Sequence, residues 1–365
     1  MALMPNRTTP LREGMTAGTL ILIVNARRAF AEEEHETPKT DRPQNMTEVI
    51  LHIGTPKTGT TAIQHAMSVN EEVLAQENIA FIKTGRHRAA HNDLANAITR
   101  HGADHKFQDA FAAEFARAAE GGEKILLSSE IFSLIPPSKF RRSLPPLDAV
   151  PMKIVVYLRR QDQYAEAFYK QRLKNGRITI PFDAFLESRV CQRITNYQKL
   201  LNGWSETYPQ AQITPRIYDR AGFVNQDIVA DFAAILGLSA TDLDSAQVEH
   251  NVSPSRDVID ILLALAPHFE AAELRKIFRT AKALDLNGFS GQGDLFTSEE
   301  RQVFCARFAT DDAALRQRFF PDRETLFPAP RQTSPDLQAT ARSDTKPALL
   351  KAMLQIAFDL KRNQD

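Results

Sequence analysis

Short apolar runs alternate with stretches of helical spacing through the first two thirds of the chain. Runs rich in β-branched and aliphatic residues at 49–53, 79–82, 124–128, 153–158 and 212–218 each give way to polar or turn residues, as strands do. Between and after them, 93–99, 107–119, 161–173 and 227–236 carry apolar residues three and four apart, which predicts helices with one buried stripe. Phe107, Phe111 and Phe115 recur at that spacing and read as the core face of one helix. Strands alternating with helices predict an α/β fold with a mainly parallel sheet between two helical layers. Beyond residue 250 the pattern is mostly helical, at 256–265, 271–283, 299–308, 313–319 and 347–360, with a glycine-rich loop at 287–294.

The ends read differently. Residues 1–45 close on AEEEHETPKTDRPQN, which holds too little apolar surface to offset its ordering entropy, so a disordered extension is expected there. Met46 directly precedes the first strand and is the expected natural start of a folded domain over 46–328. A Pro/Ser/Thr-rich linker at 327–345 and a terminal helix are expected to complete the chain, with 329–365 outside that domain.

Lys plus Arg and Asp plus Glu both number 45, so the overall charge gives no electrostatic case for a nucleic-acid partner, and any anion site must be local. Cys191 and Cys305 stand far apart, without zinc-site spacing or disulfide density, which predicts no structural metal and a reducing, cytoplasmic setting. The apolar run TLILIV at 19–24 is shorter than the roughly 20 residues of a membrane-spanning helix. Arg27 and Arg28 stand where a signal-peptide cleavage region should be uncharged.

The chemistry concentrates at VILHIGTPKTGTTAIQHAM, 49–67. A strand runs into Gly54 and Gly59, and Thr60 and Thr61 open a helix, so backbone N–H groups converge on an anion at a helix N-terminus. In the metal-assisted nucleotide-hydrolysing loop a lysine follows the second glycine directly. Here Thr60 holds that place and the lysine, Lys57, lies inside the loop.

This T-P-K-T-G-T-T segment resembles the 5′-phosphosulfate loop of sulfotransferases that use 3′-phosphoadenosine 5′-phosphosulfate (PAPS), with Thr58 in place of serine. The resemblance implies a P-loop NTPase-like three-layer α/β/α fold. It also implies PAPS as co-substrate without a metal, held by Thr55, Pro56, Lys57, Thr58, Gly59, Thr60 and Thr61, with Lys57 stabilising charge on the leaving oxygen. In the family a second motif binds the 3′-phosphate through an arginine at a strand's end and a serine eight residues on. In KIVVYLRRQDQYAEAFYKQ, 153–171, Arg159 matches the arginine, with Arg160 as a candidate helper, but Ala167 stands at the serine position. Weaker similarity to bacterial carbohydrate and small-acceptor members extends over 48–328, through ILLSSEIFS, NVSPS and a faint glycine-motif echo in SGQGD.

Sulfuryl transfer to a hydroxyl or amine needs a base at the acceptor proton. Glu130, just after the run at 124–128, and His91, in an insertion at 84–120 expected to face the acceptor, are the candidates. His52, inside the first strand, reads as a core histidine, and His87 and His91 have no third residue to make a metal set. The expected activity is therefore PAPS-dependent sulfuryl transfer to a small-molecule or glycan acceptor, with no integral membrane segment. A magnesium-dependent nucleotide kinase, or a silent binding protein for a nucleotide or sulfated glycan, is the alternative, the latter favoured by Ala167.

Overall fold

The computed structural model describes residues 47–239, 241, 243, 254–291, 293–329 and 346–362, all within one unit, Met46–Asp365. The expected N-terminal extension, the start at Met46, most of the 327–345 linker and part of the NVSPS segment lie outside the described residues.

Five strands form one all-parallel sheet: β1 (Val49–His52), β2 (Ile79–Phe81), β3 (Lys124–Ser128), β4 (Met152–Leu158) and β5 (Gln212–Ile217), in the order β2-β3-β1-β4-β5. Each coincides to within a residue or so with a run read from the sequence. The helices in the first half are α1 (Thr60–Val69), α2 (Glu71–Gln76), α3 (Asn92–His101), α4 (Gln108–Glu120), α5 (Pro137–Ser143) and α6 (Gln161–Lys174). Then follow α7 (Phe182–Leu186), α8 (Arg189–Thr195), α9 (Tyr197–Thr207), α10 (Ile228–Leu236), α11 (Arg256–Leu265), α12 (Ala271–Ala283), α13 (Ser298–Ala306), α14 (Ala309–Phe319) and α15 (Lys346–Arg362).

Alternation along the central strands divides the core in two, because successive side chains point to opposite faces of a strand. Val49, Leu51 and Ile53 of the first strand segment, with Ile154, Val156 and Leu158 of β4, face a layer that includes α3 to α6 and the C-terminal helices. Ile50, Leu126, Val155 and Tyr157 face the smaller layer of α1, α2 and α10. The result is the three-layer α/β/α arrangement expected, with a helical C-terminal part. The expected phenylalanine stripe lies as read, Phe111 and Phe115 buried and Phe107 partly buried against the same core. Leu349, Met353 and Ala357 bury α15 in the larger core, so the last helix packs onto this body rather than standing apart from it.

This strand order sends the chain from β1 to one side of the sheet, through β2 and β3, then across to β4. Ligands of open α/β sheets sit at the carboxyl ends of strands near such a reversal. The loop after β1, the residues after β3 and the end of β4 therefore meet there.

Candidate active site

The loop after β1 holds its shape through backbone conformations that side chains normally avoid. Gly54, Lys57 and Gly59 all have positive φ, 47°, 70° and 74°. A Cβ on Gly54 would sit 3.1 Å from the Cα of Glu130, and one on Gly59 would sit 2.5 Å from Ile228 Cδ1, so both glycines are demanded by close approach as well as by φ. Lys57 has no such excuse: a lysine at φ 70° is strained, which is a feature found where loops are shaped for function.

Two buried threonines brace the loop. The Thr55 hydroxyl donates to the Tyr157 carbonyl of β4 (2.8 Å), and the Thr58 hydroxyl donates to the Thr55 carbonyl (2.6 Å). Their side chains thus hold the loop from inside, whereas the sequence reading gave Thr58 a ligand-facing hydroxyl. Pro56 is half-buried, Lys57 is exposed at the crest, Thr60 is tucked against Gly54 and Thr61 opens to solvent. No side chain caps α1 at Gly59, so its first N–H groups are left for an anion, with the positive end of the helix dipole behind them.

Three charged groups converge above this cradle. Arg159 leaves the end of β4 and donates from Nη1 to the Lys57 carbonyl (3.1 Å) and from Nε to Gln163 (3.3 Å), with its guanidinium 5.5 Å from the Tyr218 ring centre. Its Nη2 makes no hydrogen bond among the described residues. Tyr197 fixes the backbone there by donating to the Arg159 carbonyl (2.5 Å). Desolvation lowers the Lys57 pKa, the Arg159 charge lowers it further, and the Glu130 carboxylate opposes both. Lys57, Arg159 and Glu130 are therefore electrostatic neighbours.

Glu130 is held by a relay that the sequence reading missed. Gln64 Nε2 donates to Glu130 Oε2 (3.3 Å) and to Ser128 Oγ (3.2 Å), and Ser128 Oγ meets His52 Nδ1 (2.8 Å). Gln64 is buried on the inward stripe of α1 with Thr60, Ile63 and Met67, and a polar side chain in that stripe was the available signal. The other Glu130 oxygen has no hydrogen-bond partner among the described residues.

Two sequence expectations need correction. His91 is fully buried, with Nδ1 against the Ser128 N–H (3.1 Å) and its ring packed on Phe81, and burial drives its pKa down to about 4. It joins α3 to β3 and has no open path to an acceptor, so it does not serve as the base. Arg160 points inward, bound to Asp162 through Nε (2.7 Å) and Nη2 (3.0 Å) and to the Pro328 carbonyl (3.0 Å). Arg301 reaches the same Asp162 (2.5 Å) and Glu166 (3.2 Å), which makes a buried ion network out of what looked like a phosphate helper.

A cavity of about 590 Å³ opens beside Thr55, lined by residues 133–137, Tyr164 and residues of 193–206 including Arg193, Asn196 and Glu206. The 84–120 segment, expected to face the acceptor, packs on the sheet instead and is absent from that lining. A larger groove of about 690 Å³ between α7 and α13 has no residue of the 54–61 loop in its lining, whereas the cavity beside Thr55 adjoins that loop. Among the described residues no three His, Cys, Asp or Glu side chains gather as a metal set, and no helix is long and apolar enough to cross a membrane.

No family model matches the chain. A protein of Archaeoglobus fulgidus, described as uncharacterized, is 29% identical over 198 residues, 54% of this chain and 54% of that protein. The chain thus spans about half the length of the curated relative it matches. Among solved structures it is similar to a sulfotransferase from Alicyclobacillus acidocaldarius, with TM-score 0.34 and 16% identity over 56% of this chain and 86% of that one.

Proposed function

We propose that the protein is a sulfotransferase that uses PAPS and acts on a hydroxyl or amine of an acceptor, with carbohydrate as the acceptor class. The observation that carries the reading is the convergence of Lys57, Arg159 and Glu130 on an uncapped helix N-terminus whose loop keeps its lysine inside.

Bound PAPS would supply an activated sulfuryl group, whose departure leaves negative charge on the 5′-phosphate. The uncapped N–H groups of α1 and the Lys57 ammonium meet that charge, which is the electrostatic work the step demands. Arg159, with Nη2 unclaimed and its plane fixed by Gln163 and Lys57, offers a forked donor to a second phosphate. Glu130, steadied by Gln64, takes the acceptor proton. The cavity beside Thr55 is the acceptor's place, adjoining the loop.

The test is release of adenosine 3′,5′-bisphosphate from PAPS in the presence of a panel of sugars, glycosides and amines, with and without a chelator. Acceptor-dependent release indifferent to the chelator, reduced by about 10²–10⁴ in Glu130→Gln, is the expected result. Magnesium-dependent turnover of ATP would replace this reading with phosphoryl transfer.

A further inference from the structure

The uncharged polar side chains that line the cavity beside Thr55 are largely engaged with the protein itself. The Thr55 hydroxyl donates to the Tyr157 carbonyl (2.8 Å) and the Ser133 hydroxyl to the Glu130 carbonyl (2.8 Å). Asn196 Oδ1 accepts from the Lys199 N–H (2.7 Å), and Asn202 Oδ1 accepts from Arg318 (3.0 Å). The rest of the wall is mainly apolar, with Leu134, Ile135, Pro136 and Pro137 before and at the start of α5 and Ile194 and Leu200 on α8 and α9. The charged lining residues, Arg193, Lys199 and Glu206, are solvent-exposed and of both signs.

Tyr164 is the exception. It lines the cavity with only 1% of its surface exposed, its ring stacked on Tyr197 (6.2 Å between centres, 21°) and edge-on to Phe168 (6.2 Å). Its hydroxyl makes no hydrogen bond among the described residues, yet it is not sealed off as the unpaired Tyr208 hydroxyl is. Such a hydroxyl finds its partner in whatever fills the cavity. Tyr197, on which the ring stacks, also holds the Arg159 carbonyl, so Tyr164 is braced against the strand end that carries the site.

A free saccharide brings a hydroxyl at nearly every carbon, and each one left unpaired on entering an apolar cavity costs about 1–3 kcal/mol. An apolar body with one polar edge meets these walls without that cost. We infer that the cavity takes the apolar aglycone of a glycoside acceptor, with the Tyr164 hydroxyl donating to a sugar oxygen and the sugar itself at the Thr55 and Ser133 end, beside Glu130. The inference rests on the proposed function for the sugar; the apolar lining and the unpaired Tyr164 hydroxyl stand without it.

Calorimetric titration of the full-length protein with octyl β-glucoside, below its micelle concentration, and with methyl β-glucoside tests this without turnover. The octyl glycoside should bind at least about tenfold more tightly than the methyl glycoside. Tyr164→Phe keeps the ring stack and should weaken octyl glycoside binding about fivefold with the urea midpoint unchanged, whereas a merely structural hydroxyl would move the midpoint and not the affinity. A Cβ at Gly203 would meet nothing nearer than Pro137 Cγ, at 3.6 Å, so Gly203→Leu fills cavity space and should abolish octyl glycoside binding while the chain still unfolds cooperatively. Equal affinity for the two glycosides, binding of neither, or octyl glycoside binding indifferent to both substitutions would overturn the inference, whatever the nucleotide does. Octyl glycoside binding with the expected dependence, in a protein that does not bind adenosine 3′,5′-bisphosphate, would sink the donor reading and leave the cavity's assignment in place.

Discussion

Lowering the pH from 7 to 5 should remove a calculable part of the stability through two histidines. His52 and His91 flank Ser128 and are fully buried, and burial lowers their pKa values from 6.5 to about 3 and about 4. Both rings stay neutral in the folded chain at pH 5, whereas in the unfolded chain they take up protons below 6.5. The unfolded state then binds more protons, so stability is fully present above pH 6.5 and is lost as the pH falls from there toward 4. At pH 5, one and a half pH units below 6.5, the loss is about 2 kcal/mol for each ring, or about 4 kcal/mol for the pair. That is a large share of the roughly 5–15 kcal/mol typical of a folded protein. Trp204, the single tryptophan and fully buried, reports unfolding by its fluorescence in urea titrations at the two pH values. His91→Gln should be less stable at pH 7 yet lose about 2 kcal/mol less than the wild type on going to pH 5. Carboxylates contribute equally to both chains and cancel. An equal loss in the two chains would refute the reasoning, since it would mean that the His91 ring titrates as freely in the folded protein as in the unfolded one.

Three further substitutions probe the site's supports. Asp162→Ala leaves Arg160 and Arg301 buried without their shared carboxylate and should cost about 3–5 kcal/mol in urea unfolding; a cost under about 1 kcal/mol would show the network to be dispensable. Gln64→Leu removes the donor to Glu130 and should lower kcat about tenfold with nucleotide affinity unchanged, while a matching rise in KM alone would place Gln64 in binding instead. Thr58→Val leaves the Thr55 carbonyl without its donor and should cost about 1–3 kcal/mol and weaken nucleotide binding, whereas Thr58→Ser should preserve both.

The strands and the backbone shape of the loop at 54–59 were legible because their signals are local. A β-branched run, two glycines at the positions of positive φ, and a helix opening on threonines all lie within 49–67. Arg159 was legible for a related reason: it ends an apolar run and so reaches the strand's carboxyl end. Its neighbour Arg160 carries the same charge, and only the arrival of Arg301, 141 residues later in the chain, and of the Pro328 carbonyl shows that it turns inward. His91 was misplaced because the loop at 84–91 folds back onto β3, a tertiary contact with no local pattern. The open face of α6 was hidden by packing: Gln161, Asp162 and Glu166 are buried along with the aromatics, so the helix has little apolar periodicity to say which face opens. Of the helices α8 and α9, which line part of the cavity beside Thr55, α8 has seven residues and lacked the length that makes periodicity readable.

The central claim is that the cradle at 54–61 and Arg159 together hold a nucleotide with phosphates at both the 5′ and 3′ positions. Calorimetric titration of the full chain with adenosine 3′,5′-bisphosphate, adenosine 5′-monophosphate and ATP, in the wild type, Lys57→Ala and Arg159→Ala, tests it directly. The account predicts magnesium-independent binding that favours the bisphosphate, with that preference lost in Arg159→Ala and affinity for both adenosine phosphates reduced in Lys57→Ala. Preference for ATP with magnesium, or a bisphosphate affinity indifferent to Arg159, would contradict it.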